Sequence, residues 1–254
     1  MLRILFDSGL SMPLIIINLC IFIITLAVSL SAHEFMHGWS AYKCGDPTAK
    51  SQGRLSLNPM VHLDPMGTIM MLLAGFGWAK PVMINPNKLT RFKNRNVSLR
   101  IVSLAGVSAN FVLAFIAYLL YAVVLLFCYF QDIDVSVDYL FRLSGNYPPI
   151  SFACSILCTF LISLFERNLM LLAFNLLPIP PLDGFNFVDT FLPTKIRYKI
   201  QSLSRYTSYI FLALMIFGRN SGFNILGELI YRIMIPFQYV IIKPIDELFR
   251  LLLL

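Results

Sequence analysis

Three long runs without a charge limit this chain more than any other feature. Residues 101–131 hold no charged side chain, and neither do 9–32 or 143–165. A helix crosses the hydrocarbon core of a bilayer with about 20 apolar residues, whereas a barrel strand needs about 10. Only helices and closed barrels satisfy their own backbone in lipid, and these runs are too long for barrel strands, so they predict membrane-spanning helices. Composition agrees. Hydrophobic residues make up 58% of the 254, charged residues 13%, and the mean hydropathy is +0.75. A soluble chain carries about 25% charged residues, and this one has too few to cover a soluble surface. Disorder, a collagen-like fibre and a soluble nucleic-acid binder are excluded.

The net charge of +7 does not point to nucleic acid, because the basic residues cluster in two short loops between apolar runs. Lys80, Lys88, Arg91, Lys93, Arg95 and Arg100 fill one, and Lys195, Arg197, Lys199 and Arg205 the other. The loop 131–149 instead carries Asp132, Asp134 and Asp138 against a single Arg142. An excess of Lys and Arg marks the cytoplasmic side. The first helix then ends inside near Lys43, the second runs out, the third returns, and residues 33–37 and 178–184 meet towards one membrane face. The 9–32 run is longer than the apolar region of a signal peptide, and cleavage after it would fall just ahead of the chain's best chemical motif, so we read it as a retained span. The five cysteines form no CxxC and suggest neither a disulfide framework nor a cysteine zinc site.

Residues 43–65 are rich in turn formers, and 66–86 are too mixed to span, which suggests a hairpin or interfacial segment with strands around 52–57 and 80–84. The third span should start after Pro148-Pro149 and end before Pro178, interrupted by Glu166-Arg167. The weaker segments 206–218 and 223–242 suggest a helical hairpin or surface amphipathic helices.

The first helix runs into His33-Glu34-Phe35-Met36-His37. Positions i and i+4 share a helix face, so both imidazoles can reach one ion about 2.0–2.1 Å away. In zinc hydrolases with this HExxH pattern the glutamate does not bind metal but takes a proton from water. Polar groups at membrane depth are costly unless they function. A catalytic zinc wants three protein ligands. The candidates for the third are His62, Asp46, Asp64, Glu166, Asp183 and Asp189. Asp183 is the best placed, because Pro178, Pro180 and Pro181 break the helix just before Asp183-Gly184. Broken backbone at depth is tolerated only inside protein or beside a wet cavity.

The HExxH at the end of a long apolar helix, with the later Asn175-Leu-Leu-Pro-Ile-Pro-Pro-Leu-Asp-Gly184, resembles the site-2 proteases, zinc metalloproteases that cut inside membranes. The segments Gly53-Arg-Leu-Ser-Leu-Asn-Pro59, His62-Leu-Asp-Pro-Met-Gly-Thr68 and Gly77-Trp-Ala-Lys-Pro-Val82 extend the resemblance over about residues 25–190. They match the short members without a PDZ or CBS domain. The resemblance implies one zinc per chain on His33, His37 and Asp183, with Glu34 as general base. Asn175 is implied as a partner for the scissile carbonyl or oxyanion. Asn110, in Ala105-Gly-Val-Ser-Ala-Asn110, also resembles a family motif, although its usual proline is absent. His62 and Asp64 are expected to organise a loop over the site. Glu166 and Arg167 depart from the family pattern.

The expected fold is an all-α polytopic membrane protein. It has a three-helix catalytic transmembrane core, a small membrane-associated β-rich segment and one or two additional C-terminal helices. Residues 1–254 are read as a single metalloprotease domain, with the core over 9–190 and the C-terminal helices over 195–254. The implied activity is zinc-dependent hydrolysis of peptide bonds within transmembrane segments, in an integral multi-pass protein (of the inner membrane if bacterial) with its site towards the cytoplasm. The implied partners are transmembrane protein substrates and the lipid bilayer, with no nucleic acid. Two rivals are a membrane metal-binding or transport protein using the same ligands, and a prenyl-protein processing enzyme, whose helix would meet a His or Glu ligand instead.

Overall fold

A computed structural model describes residues 11–74, 79–135, 148–193, 195–197, 200, 206–207 and 225–252. Helix α1 runs over Met12–Lys43, α2 over Thr48–Ser51, α3 over Pro65–Ala74, α4 over Arg95–Phe130, α5 over Pro149–Asn175, α6 over Asp183–Asp189 and α7 over Ile225–Leu252. Of these, α1, α4, α5 and α7 are long and apolar enough to cross a membrane. The fold is that of an all-α polytopic membrane protein, as expected.

The helix ends follow local chemistry. Proline stands in the first turn of α1 and of α5, where its missing N–H costs nothing. Asn94 caps α4 by accepting the Asn96 N–H at 3.0 Å. Asp64 plays the same part for α3, its Oδ1 accepting the Gly67 N–H at 2.8 Å.

One expectation needs correction. Among the described residues neither 52–57 nor 80–84 forms a strand; the segment has 3-10 turns at Pro59–Val61 and Pro86–Lys88 and one isolated antiparallel bridge between Leu63 and Ala79. Its turn residues outnumber its alternating ones, and side chains take over the pairing that a ladder would supply. Arg54 donates to the Lys80 carbonyl, and Asp46 accepts the Asn85 N–H. At the C-terminus, residues 225–242 belong to one continuous helix, α7, that passes through Pro236 and Pro244, in keeping with the expected C-terminal helices. Residues 208–218 of the other expected C-terminal segment lie outside the described residues, as do 136–147 of the acidic loop.

Helices α4, α5 and α7 share the largest apolar core. Small residues Ala114, Ala117 and Ala122 on α4 let the partners approach, and Phe165 and Leu169 of α5 and Ile241 and Ile245 of α7 fill the space. Tyr118 adds a hydrogen bond of 2.8 Å to Asp246 of α7. Helix α1 packs on α4 and α5 from the other side, which brings the HExxH turn against the middle of α4. Leu169 is fully buried at the centre of the shared core. Leu169→Ala should cost about 2–5 kcal/mol, read as a lowered thermal midpoint of the purified protein in detergent; an unchanged midpoint would contradict this packing.

Candidate metal centre

His33 and His37 stand one turn apart near the C-terminal end of α1, and both are buried. Asp183 opens α6, beyond the proline turn. Gly184 lets the chain fold back onto the end of α5, because a Cβ there would collide with the Leu176 carbonyl. The three side chains meet. His33 Nε2 and His37 Nε2 are 3.0 Å apart, and Asp183 Oδ2 is 3.2 Å from the first and 3.1 Å from the second. Ligands at 2.0–2.1 Å around a tetrahedral ion lie about 3.3 Å from one another. The triangle therefore has the right size to hold one ion.

Helix α4 sets which nitrogens face that point. His37 Nδ1 donates to the Val102 carbonyl at 2.8 Å, and His33 Nδ1 to Asn110 Oδ1 at 2.7 Å. The direction of the second bond follows from its neighbours. The Asn110 amide nitrogen is committed to Asn168 Oδ1 at 2.8 Å and to the Ser29 carbonyl at 3.3 Å. Asn168 in turn donates to Ser29 Oγ at 2.9 Å and to the Leu164 carbonyl at 2.8 Å. With both Nδ1 atoms protonated, both Nε2 atoms carry bare lone pairs. Two lone pairs and a carboxylate oxygen within about 3 Å of each other need a shared cation. A single proton serves only one edge of that triangle, and a metal ion serves all three.

Val102, Gly106 and Asn110 are spaced i, i+4, i+8 on one face of α4. Gly106 has no side chain to shield the Val102 carbonyl, so His37 can reach it. A Cβ at Gly106 would collide with both imidazoles. The far end of α6 hangs from α4 as well. Arg100 Nε donates to Thr190 Oγ1 at 2.8 Å and Asn96 to the Thr190 carbonyl at 3.1 Å, while the Arg100 guanidinium stacks 3.6 Å over Phe191.

The other candidate ligands are occupied elsewhere. Asp46 holds the backbone N–H groups of Thr48 and Asn85, Asp64 caps α3, and Asp189 pairs with Arg197 at 3.1 Å. His62 is buried in the loop and donates from Nε2 to the Ser56 carbonyl at 2.7 Å. Glu166 is exposed on α5. Among the described residues, His33, His37 and Asp183 form the only group of three suited to a metal. Glu34 lies beside them, one carboxylate oxygen accepting the Val82 N–H at 2.9 Å. Asn175 donates to the Leu171 carbonyl one turn back at 2.9 Å. Both line a cavity of about 890 Å³ that contains the triangle and extends to Arg95 and Arg197. Sequence reading missed Asn168 and Val102. The first looks like one polar residue in an apolar helix, and the second acts through its backbone.

Removing the Asn110 side chain frees the His33 ring to turn. Asn110→Ala should weaken zinc retention by about 10–100-fold, measured by dialysis against a graded chelator; retention equal to wild type would contradict the orienting bond. Gly106→Ala should lose bound zinc altogether, and one zinc per chain in that variant would refute the packing of the rings on α4.

Comparison with known proteins bears on this geometry. The model of the family described as Peptidase family M50 matches residues 21–218. "Putative zinc metalloprotease YwhC" of Bacillus subtilis (strain 168) is 39% identical over 76% of this chain and 79% of its own length. "Putative zinc metalloprotease Rip2" of Mycolicibacterium smegmatis is 27% identical over 77% of this chain and 68% of its own. The Rip2 of Mycobacterium tuberculosis (strain H37Rv) is 28% identical over 80% and 70%. No solved structure matches. With the family model covering most of its length and a relative at 39% identity, the chain belongs to peptidase family M50.

Proposed function

We propose that the chain is an intramembrane zinc endopeptidase that hydrolyses peptide bonds within the transmembrane segments of membrane proteins. The observation that carries this reading is the convergence of His33 Nε2, His37 Nε2 and Asp183 Oδ2 within 3.0–3.2 Å, beside Glu34 and at the wall of a cavity. Family membership and the names of the relatives supply the metal and the reaction class.

Bound by His33, His37 and Asp183, zinc would act as a Lewis acid, making water acidic near neutral pH and polarising the scissile carbonyl. Glu34 is the general base. Val82 holds one of its oxygens, and the other takes the proton from the attacking water and returns it to the leaving amine. Asn175 keeps one amide hydrogen on Leu171 and offers the second to the substrate carbonyl or the oxyanion. Substrate reaches His33, His37 and Asp183 through the cavity of about 890 Å³, and a helical substrate hides its carbonyls in backbone hydrogen bonds. The substrate therefore enters locally unwound, with its carbonyls released from helical hydrogen bonds.

The basic loop before α4 and the rule that such loops stay inside support a site that faces the cytoplasm. A transporter using the same ligands would need further metal-capable groups along a path. A prenyl-protein processing enzyme would meet the helix with His or Glu, where this chain brings Asp183.

Glu34→Gln should keep one zinc per chain and lower cleavage of a transmembrane peptide by about 10²–10⁴-fold. Chelation should silence the wild type, with activity returning on zinc addition. Wild-type cleavage by Glu34→Gln would end the general-base assignment, and chelator-resistant cleavage would end the metalloprotease reading.

A further inference from the structure

Glu166 and Arg167 are the charged pair that the metal centre leaves unused. Glu166 lies nine residues before the inner end of α5 at Asn175, about 13 Å along the axis at 1.5 Å per residue. Asn168, the next residue but one, bonds to Ser29 and Asn110, so both charges stand level with the polar layer under the metal centre. Arg167 reaches deeper still. Its guanidinium stacks over Phe22 with 4.4 Å from Cζ to the ring centroid, and Phe22 sits near the middle of the uncharged 9–32 run. The cation thus rests near mid-bilayer instead of extending to the headgroups as long basic side chains do near helix ends.

Among the described residues neither charge forms an ion pair, and the opposite charge that Arg167 feels is that of Glu166 itself. Glu166 is exposed and forms no hydrogen bond or ion pair among the described residues. Arg167 is half-buried, and its Nε is buried without an acceptor. Adjacent residues on a helix point about 100° apart and do not face each other. Charges at this depth are rare and are found paired or lining a wet path. A partner that satisfies both must bring a donor and an acceptor to the same depth on one surface.

A second copy in the same membrane orientation brings both. A two-fold axis along the membrane normal keeps each residue at its own depth and makes the contact self-complementary. We propose that α5 carries a homodimer contact within the membrane, in which Glu166 of each copy pairs with Arg167 of the other. A substrate helix with one carboxylate would meet Arg167 but leave Glu166 facing lipid. This inference does not depend on the chain being a protease.

The test counts subunits of the full-length chain in lipid vesicles by single-molecule photobleaching. Wild type should bleach in two steps. Glu166→Arg alone and Arg167→Glu alone each set like charges face to face and should bleach in one. Co-expressed in two colours, the two single variants should coincide at least about five-fold more often with each other than with themselves, because only the mixed pair is complementary. One zinc per chain serves as the folding check. Should the reversals fail to fold, Met170→Cys in a Cys20→Ser background decides, since Met170 lies one turn from Glu166 and is 40% exposed. Mild oxidation in membranes should cross-link it into a dimer, and no cross-link overturns the proposal. A monomeric wild type, single reversals that stay paired, or an absence of two-colour coincidence would each overturn it. So would reversals that abolish cleavage of a transmembrane substrate while the count stays at two, which would assign the pair to the substrate.

Discussion

Everything at this centre depends on two buried imidazoles presenting bare nitrogens in a place where no polar group can go unpaired. Both rings are buried, so each Nδ1–H must find an acceptor built into the protein. Helix α4 supplies both acceptors on a single face, from the Val102 backbone and the Asn110 side chain, with Gly106 between them as the floor on which the rings lie. The Asn110 amide is fixed by Asn168 and Ser29 in turn, so three helices agree on the orientation of one ring. A network in which every member is satisfied makes the arrangement rigid, and a half-satisfied one would be worse than an apolar core.

The third side chain of the triangle, Asp183, is brought in by a different device. Three prolines end the α5 line, Gly184 permits the return, and α6 is suspended with Asp183 at one end and Thr190 clasped by Asn96 and Arg100 at the other. The same helix α4 therefore positions all three side chains of the triangle, two through their rings and one through the clasp. On the opposite wall, the segment after Ala79 is sewn to the end of α1 by Asp46 and to Glu34 by Val82. Any change in how that segment sits is felt directly at the Glu34 carboxylate.

Much of this was legible in the residues, for physical reasons. Uncharged runs longer than a bilayer is thick have few alternatives, so the spanning helices could be placed from charge alone. The i, i+4 histidines and the proline-broken Asp183 also announce themselves, because both patterns are costly in a membrane without a ligand to justify them. The segment over 52–84 did not announce itself. Its turn residues suited either a hairpin or a chain of 3-10 turns, and the choice fell to tertiary bonds such as Asp46 to Asn85. The C-terminal helix was obscured by Pro236 and Pro244, which α7 absorbs by packing on α4 and α5. Val102 could not be seen at all, since a backbone carbonyl has no signature in sequence. Asn168 needed the register between α5 and α1 before its role could be read.

Zinc K-edge X-ray absorption of the purified full-length protein bears most directly on the claim that these three side chains hold one ion. The expected spectrum has only nitrogen and oxygen neighbours at about 2.0–2.2 Å, with multiple scattering from two imidazoles. Thiolate scattering near 2.3 Å, or a first shell with fewer than two imidazoles, would contradict it.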